Sequence, residues 1–470
     1  MFDDFAILYL HFDSTSGPQV VDSYFKNLNL NEEQILSIKS SSFPDSVVQE
    51  PNQFFLYVFR IDAFFCYCIF TSMPEKSEPR GHLQISFVIV SKLPYIYIFS
   101  RILHSTLSVQ DMHPKDTFLV LCDFVEKTIN ICNNISNNEI VQIPTFDGEL
   151  RVQKMRNVKQ GLDLIAGLKW CPQCKVYCLN DCFLGIDLFE SLGVYNLLNN
   201  GRISDILKLW ESALLGKSIL VYGANPNLTS SCALGIASLL FPEKFVGNII
   251  PFMSVTDIRF KKMIIDNVHV KNLILGVSNP IALQIENKFD LIFTIGFGQK
   301  RDGLNISRSN WESFPTLNNI NSSVLRSFFY QNTRKTIKAI NICLNDLRNT
   351  NPYDAFVGNI CLSNLIKQIH CQKVTISGSL SDFAAELLKS PIFPNICLKI
   401  FSYDSFLEDL HQFSIETICK SKSKSQLTEI FNLLKKARQR CLGKENLEKI
   451  IDADITNVSL YLQDFNVFQS

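Results

Sequence analysis

Phe54-Phe55-Leu56-Tyr57-Val58-Phe59-Arg60 and Phe64-Phe65-Cys66-Tyr67-Cys68-Ile69-Phe70-Thr71 are two runs rich in aromatic and β-branched residues, separated only by Ile61-Asp62-Ala63. Runs of this kind with so tight a connection predict two paired strands. Upstream, Ala6 to Phe12 and Val20 to Phe25 read as strands turned by Ser16-Gly17-Pro18. Between these pairs, Asn31 with Gln34 three residues on forms a helix-capping pattern, with Glu32 and Glu33 in the first turn. Ile35 and Ile38 give that helix a short apolar face, closed by Phe43-Pro44. Downstream, a polar loop from Met73 to Gly81 leads into a strand from Leu83 to Val90. Pro94 opens a helix through Leu107, with Ile98, Ile102 and Leu103 on one face, and Pro114 opens another through Asn130.

The order β-β-α-β-β-β-α-α resembles the longin arrangement, a likeness that implies a platform for protein interactions. Asn133 to Gln160 is polar and Asn-rich, and predicts a linker with one extended piece at Glu139 to Pro144. A helix is expected from Ile203 to Leu215, a buried strand at Ser218–Gly223, and a helix from Thr229 to Phe241. Strands follow at Asn272–Val277 and Asp290–Ile295, with Asn279-Pro280 placed to cap a short helix to Asn287. Continuous apolar strands alternating with helices predict a parallel sheet covered on both faces. Gly296 to Asn319 reads as a loop. Beyond Ser323 the pattern is helical, over Leu325–Leu344, Ala355–His370, Phe383–Leu388, Phe406–Cys419, Gln426–Arg440 and Leu447–Phe465. The expected class is α/β (α+β overall), with domains at 1–132 (longin-like), 133–190 (linker with a Cys cluster), 191–300 (α/β) and 301–470 (helical).

Composition removes several function classes. With 45 Lys+Arg against 45 Asp+Glu in 470 residues, no basic excess exists to bind nucleic acid over the whole surface. The apolar fraction of 46% is too high for a wholly disordered chain. A mean hydropathy of +0.10 prompts a search for membrane spans, and no run of about 18 apolar residues is found. Met1-Phe2-Asp3-Asp4 puts acid where a signal peptide needs base. Fifteen cysteines, many in apolar runs, suit reduced buried thiols, and a cytoplasmic location is expected.

The chemical motifs are weak. Gly216-Lys217-Ser218 resembles the end of a phosphate loop, but Glu211 stands where Gly is needed and the strand follows rather than precedes it. Gly223-Ala224-Asn225-Pro226 lies between strand and helix, where anions can bind, yet lacks the glycine spacing and the Lys, so an ordinary βα loop is expected. Cys171, Cys174, Cys178 and Cys182 offer four thiols within twelve residues. Their crowding suits a Cys-rich strand pair better than a zinc knuckle, and any zinc held there would be structural. The seven histidines form no metal pair, and no nucleophile elbow is present. Lys420, Lys422 and Lys424 with intervening serines, then Lys435, Lys436, Arg438 and Arg440, suit a solvated helix face better than a membrane patch, since no hydrophobic insertion face is evident. No small-molecule catalytic constellation emerges.

An ordered set of short motifs runs along the chain. It comprises Ser41-Ser42-Phe43-Pro44-Asp45-Ser46, Arg80-Gly81-His82-Leu83-Gln84, Val90-Ser91-Lys92-Leu93-Pro94-Tyr95, Leu209-Trp210-Glu211 with Leu214-Leu215-Gly216-Lys217, Ile274-Leu275-Gly276-Val277-Ser278-Asn279-Pro280, and Leu388-Lys389-Ser390-Pro391 with Phe393. In this set the chain resembles the DENN-domain family, most of all the subfamily called DENN-domain-containing protein six. The resemblance implies a longin lobe, a linker, and an α/β lobe with a helical tail. It implies a guanine-nucleotide exchange factor for a Rab-family small GTPase, working without a cofactor in the cytoplasm and peripherally at endosomal membranes. Arg80, Ser91, Lys92, Tyr95, Asn225, Asn279 and Pro280 are the implied Rab-interface residues. Such a factor needs no acid, base or metal, because it works by binding the nucleotide-poor GTPase. The alternatives are a non-catalytic scaffold or Rab effector on the same fold, and a GTPase-activating protein using Arg80, as the related folliculin family uses an Arg in a similar context.

Overall fold

The computed structural model describes residues 4–45, 53–76, 78–79, 81–92, 96–134, 140–154, 176–179, 203–240, 243, 245–266, 269–296, 322–420 and 422–467. The chain divides into two compact units, Met1–Tyr330 and Gln331–Ser470.

In the first unit, β1 (Phe5–Asp13), β2 (Gly17–Lys26), β3 (Gln53–Ile61), β4 (Phe64–Pro74) and β5 (His82–Ser91) form an antiparallel sheet in the order β2-β1-β5-β4-β3. The hairpin turns at Asp62-Ala63, with Ile61 paired to Phe64. Asp62 sits at φ +50, a left-handed conformation that Asp tolerates better than most residues. Helix α1 (Glu32–Ser41) starts with the expected capping box. Asn31 Oδ1 accepts from Gln34 N at 2.8 Å, and Gln34 Oε1 accepts from Asn31 N at 3.0 Å. One sheet face buries Leu8, Tyr57, Phe59 and Val88 with Ile38, Phe43 and Phe252. The other face is covered by α2 (Ile96–Ser105) and α3 (Pro114–Asn134). There the Tyr67 ring lies 5.0 Å from Phe99, and Tyr9 lies 6.3 Å from Phe118. Burial on both faces is why β1, β4 and β5 read as largely apolar runs rather than alternating. The longin-like arrangement stands as expected.

The region after α3 holds the expected extended piece at β6 and more strands besides. A hairpin of β6 (Ile140–Thr145) and β7 (Gly148–Lys154) is joined in parallel by β8 (Val176–Leu179). Phe146 in the turn packs 4.9 Å from Phe124, and Arg101 Nη2 reaches Asp147 Oδ2 at 2.6 Å. These contacts with α2 and α3 hold a hairpin that an Asn-rich sequence did not reveal.

Next, β9 (Ile219–Gly223), β10 (Asn248–Ile250), β11 (Leu273–Val277) and β12 (Leu291–Ile295) form a parallel sheet in the order β10-β11-β9-β12. Helix α4 (Ile203–Leu214) precedes it, and α5 (Pro226–Ser238) follows β9. Helix α5 starts three residues before the expected Thr229, because Asn225 caps it and Pro226 is suited to the first helical position. Strand β10 and helix α6 (Ile258–Ile265) were not anticipated, being too short to give a periodic pattern. Lys288 closes α6 from a distance. Its buried ammonium donates to the carbonyls of Met263, Ile264 and Asp266, which the helix end leaves without partners. A 3-10 helix at Pro280–Lys288 is capped by Asn279, as the sequence pattern predicted.

Helix α7 (Ser322–Arg348) carries the chain into the second unit, which is helical. The expected Ala355–His370 helix is two, α8 (Pro352–Val357) and α9 (Leu362–Cys371), broken where Gly358 takes φ +73. Then come α10 (Leu380–Lys389) and α11 (Ile392–Ile400). Pro391 and Pro394 disguised α11, but both lie at its first turn, where no amide donor is needed. The expected Phe406–Cys419 helix is likewise two, α12 (Tyr403–Gln412) and α13 (Ile415–Cys419). Helices α14 (Lys424–Arg440) and α15 (Glu445–Val467) complete the unit around Tyr353, Phe356, Phe406, Leu434 and Ile451. Among the described residues no helix is long and apolar enough to cross a membrane.

The Tyr353 hydroxyl donates to Asp454 within this core. Burial nevertheless raises the Asp454 carboxyl above its ordinary range. A raised folded pKa means that this group's contribution to stability is complete below the unfolded value and is lost as pH rises through the folded one. Asp454→Asn keeps an acceptor for Tyr353 and cannot ionise. The urea midpoint of this variant, relative to wild type, is expected to rise as pH increases above about 4. A constant offset would refute the burial argument.

Candidate functional site

The end of α1 and the strip Ser42-Phe43-Pro44-Asp45 meet the segment that follows β10, making a seam between the two large sheets of the first unit. Asp45 Oδ1 accepts from Ser254 Oγ at 2.8 Å, and its Oδ2 accepts from Val255 N at 2.8 Å. Burial raises the Asp45 carboxyl, while these two hydrogen bonds oppose the shift. Asp257 is wholly buried and caps α6, accepting from Arg259 N at 2.8 Å. The Arg259 guanidinium then folds back on the same carboxylate, with Nε 3.1 Å from Oδ1 and Nη2 2.8 Å from Oδ2. Ser41 Oγ donates to Asp257 Oδ2 at 3.3 Å. The remaining guanidinium arm, Nη1, donates to the Arg60 carbonyl on β3 at 2.7 Å. One arginine thus neutralises a buried carboxylate on the second sheet's side and grips the backbone of the first sheet. Tyr57 Oη and Ser86 Oγ hold the strip from below, donating to the carbonyls of Ser41 and Ser42 at 3.0 and 2.7 Å.

Strand register places one group of expected interface residues at this seam. Arg60, Phe65, Ser91 and Phe5 form a row across β3, β4, β5 and β1. Two strand spacings separate Ser91 from Arg60, about 10 Å. Ser91 is wholly buried, so it supports the edge rather than facing solvent. Lys92 is exposed, with Nζ 3.5 Å from Asp4 Oδ2 and 5.6 Å from the centroid of the Phe64 ring. Across the seam, Lys262 Nζ on α6 reaches Glu33 Oε1 on α1 at 3.4 Å. Apolar side chains flank this bridge on the same two helices: Leu36 is 55% exposed and Ile265 79%. Arg80 and Tyr95 lie outside the described residues.

A second group gathers at the carboxyl ends of β9 and β11, which are paired with Tyr222 opposite Val277. Asn225 and Asn279 both lie there, and both side chains cap helices. Asn225 Oδ1 accepts from Leu228 N at 2.9 Å, and Asn279 Oδ1 accepts from Ile281 N at 3.0 Å. Pro280 is exposed beside Ile281, which is also exposed. The glycines of this region have steric reasons. A Cβ on Gly223 would lie 2.1 Å from Thr229 Oγ1, and one on Gly276 2.0 Å from the Pro251 carbonyl oxygen. Cys171, Cys174 and Cys182 lie outside the described residues, and only the backbone of Cys178 is described, in β8.

Asp257, Arg259 and the bridge Glu33–Lys262 were missed by sequence reasoning. Asp45 lay within a recognised motif without a role. The available signal was Asp257 two residues before Arg259 at a helix start, a capping pattern that looks local until the fold brings β3 alongside.

Arg259→Ala leaves the Asp257 carboxylate buried and unpaired, and is expected to destabilise the fold by about 3–5 kcal/mol in urea melts. The double variant with Asp257→Ala is expected to lose less than the sum of the two singles. Additivity would show that the pair is not coupled. Gly276→Ala is expected to cost on the order of 3 kcal/mol by overpacking against the Pro251 backbone. An unchanged melting profile would refute that close contact.

No family model matches the chain. Protein DENND6A of Gallus gallus is 24% identical over 241 residues, covering 50% of this chain and 38% of that protein. Protein DENND6B of Mus musculus is 24% identical over 238 residues, covering 49% and 38%. The DENND6 homolog of Dictyostelium discoideum is 22% identical over 358 residues, covering 63% and 49%. The matches to these curated relatives span less than half of the relatives' own length. The motif set, the longin-like lobe followed by a parallel α/β sheet, and these relatives agree: the chain is DENND6-like, a relative of the DENN-domain proteins.

Proposed function

We propose that this chain is a guanine-nucleotide exchange factor that promotes GDP release from a Rab-family GTPase, acting in the cytoplasm and at endosomal membranes. The reading rests on the DENN-domain resemblance, and the observation that carries it is the seam. Two sheets are locked by the buried Asp257 and its partner Arg259, and the helices from either side carry exposed apolar residues, Leu36 and Ile265. Exchange requires a surface that binds the nucleotide-poor GTPase more tightly than the GDP-bound form, because only that difference shifts the equilibrium. A joined, fixed surface supplies it at lower entropic cost than two mobile lobes would. Exposed apolar side chains beside a polar bridge suit the centre and rim of such an interface.

Catalytic amounts of the protein are expected to accelerate fluorescent-GDP release from at least one Rab of the same cell. Ile265→Asp is expected to lower that rate at least about tenfold, the effect of losing one buried interface anchor, without changing the melting temperature. No acceleration for any Rab would overturn the exchange reading. Stable binding to GTP-loaded Rab alone would favour an effector. Faster GTP hydrolysis, lost in Arg80→Ala, would favour GTPase activation.

A further inference from the structure

The stretch from Ile415 to Lys444 carries eight Lys or Arg residues against two Glu, in a chain whose net charge is zero. Of the eight, Arg438 and Arg440 bond within the unit, and Lys444 Nζ lies 5.2 Å from the Tyr403 ring centroid. Arg438 pairs with Glu448 and Asp452 on α15, and Arg440 Nη1 donates to the Phe356 carbonyl at 2.7 Å. Lys420, Lys435, Lys436 and Lys444 are exposed, and Lys422 is half-buried. Among the described residues Lys420, Lys422, Lys435 and Lys436 form no ion pair.

Helix α14 carries Lys424, Lys435 and Lys436, with Lys420 and Lys422 just before its start. Leu427, Leu433, Leu434 and Ala437 are buried on one face. Lys424, Thr428 and Lys435 follow one another at spacings of four and seven residues on the opposite, solvent face. Lys436 is also exposed, with Glu429 the acid on that helix. Two apolar side chains accompany the charges. Phe431 is half-buried beneath the Lys435 ammonium, 4.3 Å from its ring centroid, and Leu442 stands 69% exposed in the turn seven residues after Lys435. Leu442 supplies an insertion point that the charge pattern alone does not display.

We propose that this face of the second unit is a docking surface for an anionic phospholipid bilayer. Lysines spread along a helix face suit a diffuse field of headgroup charge, in which each cation within a Debye length of the surface adds to binding. Leu442 suits the acyl boundary, and long lysine stems can lie along it while their heads stay in water. The proposal is independent of the exchange reading, since it concerns residues of the second unit and no GTPase.

The test is co-sedimentation of the full chain with phosphatidylcholine vesicles containing phosphatidylserine at roughly 7:3, against pure phosphatidylcholine, over a series of salt concentrations. Binding is expected to need phosphatidylserine and to fall steeply with salt. The combined variant Lys420→Glu, Lys422→Glu, Lys435→Glu, Lys436→Glu is expected to bind at least about 100-fold more weakly. Leu442→Ser is expected to weaken binding about tenfold while keeping its salt dependence. The same four lysines changed to Gln test the face at lower charge perturbation, and circular dichroism and melting temperature verify the fold of each variant. GDP release in vesicle-free solution is expected to be unchanged in all of them, which separates failure of this proposal from failure of the exchange reading. Equal binding to both vesicle types, wild-type binding by the charge-reversed variant, or capture of polyglutamate in place of vesicles would overturn the proposal.

Discussion

A carboxylate taken out of water needs a partner or it must give up its charge, and Asp257 has both a partner and a reason to be where it is. It is wholly buried, it caps α6, and it holds Arg259 in the orientation that delivers the last guanidinium nitrogen to the Arg60 carbonyl. The Lys262–Glu33 bridge between α6 and α1 and the packing of Phe252 against Tyr57 at 5.2 Å join the same two sides. A buried ion pair of this sort adds little net stability compared with an apolar pair of equal volume. Its value is orientational: the guanidinium has a fixed fork of donors, so only one relative placement of the two sheets satisfies it.

The second constraint is steric and lies where β9 and β11 hand the chain to their helices. Gly223 and Gly276 let Thr229 and the Pro251 carbonyl approach the sheet to distances that exclude any Cβ. Asn225 and Asn279 then start helices at adjacent strand ends. The Gly-Val-Ser-Asn-Pro phrase at 276–280, recognised first as a resemblance, is therefore a packing and capping unit. Its exposed member Pro280, and Ile281 after it, are available to a partner only because the buried ones hold the turn.

The long periodic or uniformly apolar stretches were legible, as were local caps. The five strands of the first sheet, the capping box at Asn31 and the Asn279 cap follow from residues close in sequence. Each element that was misread has a physical cause. The β6–β7 hairpin is held by Phe124 and Arg101, α11 hides behind two prolines at its own first turn, and α6 is too short to show a period. In the first two a distant contact or a positional exception outweighed local propensity, and in the third the helix has too few residues to show its face.

The chain's own residues determined its class, the order of most elements along it and its likeness to DENN-domain proteins, because hydrophobic pattern and capping chemistry act over a few residues. They did not reveal that Ser41, Asp45, Arg60, Asp257 and Arg259 form one seam, or that the exposed Lys435 lies over the Phe431 ring. Those groupings join positions as far as 216 residues apart, or depend on which helix face is buried. Hydrogen bonding and desolvation act through space, so only the folded chain could decide them.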